Sequence, residues 1–370
     1  MKENTIVLTA GGTGGHIFPA ETLAAWLKSN HPEYKVVFVT DIRAKKNLSA
    51  TLSSLSVYYV KASGVTGRGL FYKIAAAFKL LFGAMQSVRL LMRLNPKMVV
   101  AFGGYACVPA TMAAEFLKIP VVLHEQNAIL GRANRLLAKP NKVRAIATSF
   151  TPTGRISDDI PCVQTGMPVR ANIMEKADTP YPTDMQDFRL LIMGGSQGAH
   201  AFSELLPKAL MLLPPELKAR LCLTQQVRAE DMQKVQDVYK DSGFKGITLA
   251  PFFDNIPELL ANAHLVISRS GSSSLAEFSQ MGRPAILIPL PTSADDHQTA
   301  NAKLWTAEHG GWLIVEKDAT PESICARLSD LMQNPSVLIE TAQHIRDTRP
   351  KVLAGQALGE LVMREVEKAQ

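Results

Sequence analysis

Three glycine-rich stretches and two polar clusters hold the residues whose types and spacing suit chemistry. In AGGTGGHIFPA (10–20), Gly11, Gly12, Thr13, Gly14 and Gly15 follow the apolar run 6–8 and precede His16. Glycine costs conformational entropy on folding, so this density points to a tight strand-to-helix turn or a close backbone approach to a ligand. A glycine turn that opens a helix offers free N–H groups and the positive end of the helix dipole, a ready phosphate site. A tight turn with no ligand uses the same residues. Histidine is a residue type suited to general-base work near neutral pH, and a structural histidine at a helix start reads the same way.

The stretch LLIMGGSQGA (190–199) echoes the first: Gly194, Gly195, Ser196 and Gly198 fall opposite Gly11, Gly12, Thr13 and Gly15. A third relative, VVAFGGYACVP (99–109), carries Gly103, Gly104 and Tyr105. In SRSGSSSLAEF (268–278), Ser272 and Ser273 open a helix that bears Glu277. A carboxylate only accepts hydrogen bonds and so suits a ribose diol, although in isolation Glu277 reads as a solvated helix residue. In SADDHQTANA (293–302), His297, Gln298 and Asn301 suit sugar hydroxyls, or form an ordinary polar helix start. The phosphate-loop string G-x-x-x-x-G-K-[ST] is absent, and the G-x-G-x-x-G frame from Gly12 ends on Ile17, which disfavours a nicotinamide enzyme. No Asp-x-Asp occurs, so no protein-held divalent cation is expected, although magnesium can accompany diphosphates.

Elements that position these loops follow from the apolar runs. Strands are expected at 6–9, 36–40, 98–102, 121–124 and 143–148, then at 190–193, 221–224, 265–268 and 285–289, with helical patterns between them. This β-α-β rhythm, met twice, predicts an α/β protein of two doubly wound parallel-sheet domains. The Gly and Pro of TGMPVR (165–170) set a boundary: a first domain over 1–166 and a second over 167–345. A helical pattern within 346–370 either caps the second domain or crosses back onto the first.

Bulk composition agrees with a globular enzyme. Of 370 residues, 46% are hydrophobic and 20% charged, and the net charge of +7 (pI about 9.2) favours anionic ligands or surfaces without choosing among them. Cys107, Cys162, Cys222 and Cys325 are scattered, which suggests neither a zinc site nor a disulfide framework. No signal peptide and no membrane-spanning run is expected. The segment 67–93 is amphipathic: Leu70, Phe71, Ile74, Phe78, Leu81, Phe82 and Met85 recur at helical spacing, flanked by Arg68, Lys73, Lys79 and Arg89. It fits an interfacial helix on an anionic leaflet or a core-packing helix with solvated lysines.

Taken in order, GGTGGHIFPA, FGGYACVPA, HEQNAILGRANRLLA, TGMPVR, MGGSQGA and SRSGSSSLAEFSQMGRPAILIPLP…DDHQTANA resemble the motifs of the MurG family over roughly 1–345. That resemblance implies the GT-B architecture, two Rossmann-like domains facing across a cleft. It also implies inverting transfer of GlcNAc from UDP-GlcNAc to the 4-hydroxyl of MurNAc in undecaprenyl-diphospho-MurNAc-pentapeptide (lipid I), giving lipid II. By the same resemblance Glu277 holds the donor ribose, and Ser196 with Arg170 lies near the donor diphosphate. Phe253 lies by the uracil, Ile256 is a further donor contact, Ser272 and Ser273 lie by the nucleotide, and His297, Gln298 and Asn301 by the sugar. Thr13, Gly14, Gly15 and Asn127 are implied donor contacts, and Gly12, Gly103, Gly104 and Tyr105 implied acceptor-diphosphate contacts. His16 is the candidate general base. Leu70, Phe71, Lys73, Ile74, Phe78, Lys79 and Phe82 become a candidate membrane patch, so the implied location is peripheral, on the cytoplasmic face of the bacterial inner membrane. Implied partners are UDP-GlcNAc, lipid I, the anionic membrane and cell-wall synthesis proteins, with no nucleic acid and no required cofactor. Cys107 stands where the family often has serine, and His297 where some members have glutamine. A UDP-GlcNAc 2-epimerase and a non-catalytic nucleotide-sugar binder are the rival readings.

Overall fold

The computed structural model describes residues 4–12, 14–62, 70–195 and 200–369, without the side chains of 46, 47 and 70–75. Two compact units result: unit 1 is Met1–Arg170 with Pro350–Gln370, and unit 2 is Ala171–Arg349. The crossings thus fall at 170/171 and 349/350 rather than at 166/167 and 345/346, and Arg170, expected in the second domain, belongs to unit 1.

Unit 1 alternates β1 (Asn4–Thr9), α1 (Gly14–Asn30), β2 (Tyr34–Thr40), α2 (Ala50–Ser53), β3 (Ser56–Tyr59), α3 (Leu70–Leu94), β4 (Met98–Ala101), α4 (Val108–Phe116), β5 (Val121–Glu125), α5 (Arg132–Leu137), β6 (Ala145–Thr148) and β7 (Cys162–Gln164). Its parallel sheet runs β3-β2-β1-β4-β5-β6-β7. Successive strand residues point to opposite faces. Ile6 and Leu8 therefore join one core with α1, while Val7 joins another with α3 and α4. Both faces being covered, the central strands are apolar over most of their length.

Unit 2 repeats the design with α6 (Ala171–Met174), β8 (Phe188–Met193), α7 (His200–Met211), α8 (Pro215–Lys218), β9 (Leu221–Gln226), α9 (Met232–Tyr239), β10 (Gly246–Ala250), α10 (Ile256–Asn262), β11 (Leu265–Ser268), α11 (Ser272–Met281), β12 (Ala285–Leu287), α12 (His297–His309), β13 (Trp312–Leu313), α13 (Pro321–Gln333) and α14 (Pro335–Asp347). Its sheet, also parallel, runs β10-β9-β8-β11-β12-β13. The last helix, α15 (Ala354–Glu367), belongs to unit 1: Leu358, Leu361, Val362 and Val366 form an apolar stripe in the core shared with α1.

In each sheet the first strand has neighbours reached in opposite directions, β2 and β4 around β1, β9 and β11 around β8. That reversal opens a crevice at the strands' carboxyl ends, where open α/β sheets bind ligands.

Candidate functional site

At the crevice of unit 1 two glycine loops meet. The Gly11 N–H donates to the Gly103 carbonyl at 3.0 Å. Gly103 and Gly104 take φ of +83° and +75°, and a Cβ on Gly104 would stand 3.0 Å from the Gly11 Cα. A Cβ on Gly103 would stand 3.1 Å from His16 Cδ2. The imidazole of His16, in the first turn of α1, thus lies against bare backbone that only glycine leaves open. No acidic residue lies in that first turn to offset the positive helix end.

The end of β5 braces this arrangement. Gln126 Nε2 donates to the Phe102 carbonyl at 2.6 Å and faces His124 Nδ1 at 3.2 Å. His124 Nδ1 is therefore an acceptor, its proton on Nε2, which donates to the Gly166 carbonyl at 3.4 Å. Burial pushes His124 down to about 4, against the pull of the Gly166 carbonyl and with the help of nearby His16. Glu125 is buried and raised by desolvation, although Gly131 N, Asn127 N, Asn134 Nδ2 and Asn127 Nδ2 donate to it at 2.8, 3.0, 2.8 and 3.2 Å. Asn127, implied as a donor contact, has its side-chain amide committed to Glu125. Tyr105 packs partly buried against the core of α3 and α4. Cys107 is buried, donates to the Gly104 carbonyl at 2.9 Å and is pushed up to about 12 by burial. It is an internal brace of the loop. Arg170 places its guanidinium 5.2 Å from the Phe18 ring centroid, on α1.

At the crevice of unit 2, Gln226 joins two loops: Gly194 N donates to its Oε1 at 3.2 Å, and its Nε2 donates to the Pro251 carbonyl at 3.1 Å. Gly271 is the N-cap of α11, and Ser273 Oγ is buried with no hydrogen-bond partner. Glu277, one turn on, is 4% exposed, so the reading of a solvated helix residue is corrected: it faces inward. Gln298 and Asn301 hold the turn before α11. Ser270 Oγ donates to the Gln298 carbonyl at 2.8 Å, Gln298 Oε1 accepts from Leu290 N at 3.0 Å, and Asn301 Nδ2 donates to the Ser270 carbonyl at 3.1 Å. Asp295 and Asp296 both take φ of 55°, a conformation that costs non-glycine residues energy and clusters at ligand sites. His297 bonds the Ala294 carbonyl through Nδ1 at 2.7 Å. Phe253 is half-buried and Ile256 begins α10, both beyond the carboxyl end of β10.

The sequence reading missed Gln226, Phe18 and Arg269. Arg269 is buried, donates to the Ile288 and Pro289 carbonyls at 3.0 and 3.1 Å, and pairs with Glu316. Its position inside the Ser-rich motif was the available signal. Thr13 and Ser196 lie outside the described residues, as do the side chains of Leu70, Phe71, Lys73 and Ile74. On α3, Phe78 (68%), Leu81 (57%), Phe82 (45%) and Met85 (50%) are exposed beside exposed Lys79, which rules out core packing for these residues. Among the described residues no helix is long and apolar enough to cross a membrane, and no His, Cys, Asp or Glu cluster could hold a metal ion.

Residues 6–146 match the glycosyltransferase family 28 N-terminal domain and 189–355 its C-terminal domain. A protein of Rhodospirillum rubrum is 47% identical over 92% of this chain and 87% of its own length; one of Paramagnetospirillum magneticum is 44% identical over 97% and 96%. Both are named UDP-N-acetylglucosamine--N-acetylmuramyl-(pentapeptide) pyrophosphoryl-undecaprenol N-acetylglucosamine transferase. The crystal structure of Acinetobacter baumannii MurG is similar with a TM-score of 0.78 and 28% identity, over 98% of this chain and 99% of that one.

Proposed function

The chain belongs to glycosyltransferase family 28, and from that premise we propose that it transfers GlcNAc from UDP-GlcNAc to the 4-hydroxyl of MurNAc in undecaprenyl-diphospho-MurNAc-pentapeptide, forming lipid II. The observation that carries this reading is the shared name of relatives 44% and 47% identical across both units. His16 takes the proton of the acceptor hydroxyl as it attacks the anomeric carbon, and UDP leaves from the opposite face. The role suits an imidazole packed against glycine backbone in the first turn of α1. Charge that develops on the leaving diphosphate is met by backbone N–H donors and by Arg170. Glu277 accepts from the ribose hydroxyls, and Ser273 Oγ, buried without a partner, is available to the nucleotide. The reading calls for no protein-held metal.

The acceptor is lipid-linked, so the enzyme works peripherally at the cytoplasmic face of the inner membrane, with cell-wall synthesis proteins nearby. The exposed Phe78, Leu81, Phe82 and Met85 with Lys79 supply apolar burial and charge for an anionic leaflet.

The test is transfer of labelled GlcNAc to a short-chain lipid I analogue and to lipid I in anionic vesicles. Wild type yields the disaccharide and UDP. His16→Ala loses roughly 100- to 10,000-fold in kcat while retaining UDP-GlcNAc binding, and Lys79→Glu loses rate on anionic vesicles alone. Tight UDP-GlcNAc binding without wild-type transfer ends the reading. An undiminished His16→Ala removes His16 as the base, and an undiminished Lys79→Glu on vesicles removes the α3 patch.

A further inference from the structure

The backbone of residues 166–170 is fastened to unit 1 at three points. His124 Nε2 bonds the Gly166 carbonyl at 3.4 Å. Thr22 Oγ1 lies 3.3 Å from the Val169 carbonyl, its proton shared with the Phe18 carbonyl at 3.0 Å. Arg170 ends the segment over the Phe18 ring. Phe18 and Thr22 stand four residues apart on α1 and so share a face. A Cβ on Gly14 would come within 2.9 Å of Phe18 Cε2, so the ring lies close against the start of α1.

Phe18 thus touches the first residue of the helix that carries His16 and also the one cation on the fastened segment. A ring attracts a guanidinium through its π face and so restricts where the charge sits.

We propose that Phe18 is a positioning residue: its ring sets the Arg170 guanidinium in the place from which it meets a substrate diphosphate. This rests on the reading of Arg170 given above and adds the residue that makes it effective. UDP-GlcNAc and the lipid-linked acceptor both carry a diphosphate, and the experiment separates them.

The experiment compares Phe18→Tyr, Phe18→Leu, Arg170→Ala and the Phe18→Leu/Arg170→Ala double variant. It reads UDP binding by calorimetry, KM for each substrate, kcat and the thermal midpoint. Phe18→Tyr keeps the ring and stays near wild type. Phe18→Leu keeps apolar bulk, so the thermal midpoint holds, while KM for one diphosphate substrate rises about three- to tenfold. In the Arg170→Ala background the same change adds nothing, because the interaction is already gone. A rise in the UDP-GlcNAc KM with weaker UDP binding identifies the nucleotide; a rise confined to the acceptor identifies the lipid diphosphate. The proposal is overturned if Phe18→Tyr is as impaired as Phe18→Leu, if the two penalties multiply in the double variant, or if neither substrate's binding depends on Arg170. Wild type that binds UDP without transfer defeats the glycosyltransferase reading alone, and the UDP arm then decides Phe18.

Discussion

The two crevices are built on the same plan and filled differently. In unit 1 the loops after β1 and β4 press together, joined by the Gly11–Gly103 hydrogen bond, with His16 packed on both. In unit 2 the corresponding loops follow β8 and β11. There, Cβ atoms placed on Gly195 and Gly271 meet no described atom within 4 Å. Glycine in the first crevice serves the protein's own packing; in the second it has no described neighbour that a side chain would strike. Gly271 makes the contrast sharpest, because its φ of −66° is ordinary for any residue. Neither backbone conformation nor crowding requires glycine there; as the N-cap of α11 it leaves the first helical N–H groups uncovered by a side chain of its own.

Breaking the packed crevice should cost most. Gly104→Ala forces a left-handed φ of +75° on alanine and drives its methyl against Gly11. A loss of roughly 2–4 kcal/mol is expected, read as a lower denaturation midpoint together with loss of transfer. A stable, active Gly104→Ala protein would mean that the two loops do not need their close approach.

Acid should separate the units next. His124, His264 and His309 are each held at about 4, first by burial, against an ordinary value of 6.5. Folded, they stay neutral where the unfolded chain takes up protons. Their contribution is complete above about 6.5 and is lost as pH falls toward 4. Carboxyls raised by burial act in the opposite sense: their contribution is present below 4.5 and lost as pH rises through the higher folded value. Among the described residues unit 1 sets one such histidine, His124, against Glu115 and Glu125, whereas unit 2 sets His264 and His309 against Glu308 alone. Unit 2 should therefore unfold first on acidification. Single-tryptophan variants that retain Trp26 in unit 1 or Trp305 in unit 2 can follow this by fluorescence; simultaneous transitions would show that burial of these histidines is balanced across the units.

The smallest effect on stability should come from Gly271→Ala. With no neighbour to strike, it should shift the fold by less than about 0.5 kcal/mol while KM for UDP-GlcNAc rises several-fold. An unchanged KM would mean that Gly271 does not border the nucleotide sugar.

These contrasts also explain what could be read from sequence. The nine expected strands are all present, and the four not anticipated, β3, β7, β10 and β13, are the edges of the two sheets. Central strands are covered on both faces and so are written as apolar runs such as that of β1. Edge strands carry half-exposed patterns: Cys162 and Gln164 of β7 are outward and Val163 is half-buried. Nothing local distinguishes such a triplet from loop. The same division runs through the site. Glycine loops announce themselves by composition, because backbone geometry restricts the residue type. Gln226, Arg269 and Phe18 act on backbone or side chains distant in sequence, Gln226 on Pro251 and Phe18 on Arg170. Their identity alone carries no sign of that partner. Glu277 looked solvated because helical spacing does not tell which face is covered until neighbouring elements are in place.

The return of α15 to unit 1 bears on how the chain is made. Ribosomes deliver residues in order, and domains ordinarily fold as they emerge. Here the whole of Ala171–Arg349 is delivered before Leu358, Leu361, Val362 and Val366. Unit 2 can complete its core while α1 still lacks the helix that covers it, so the unit begun first is finished last. During that interval the nascent chain presents the face of α1 with Thr22 and Trp26, which Gly355 and Gly359 of α15 later approach, a surface that a chaperone at the exit tunnel would have reason to shield.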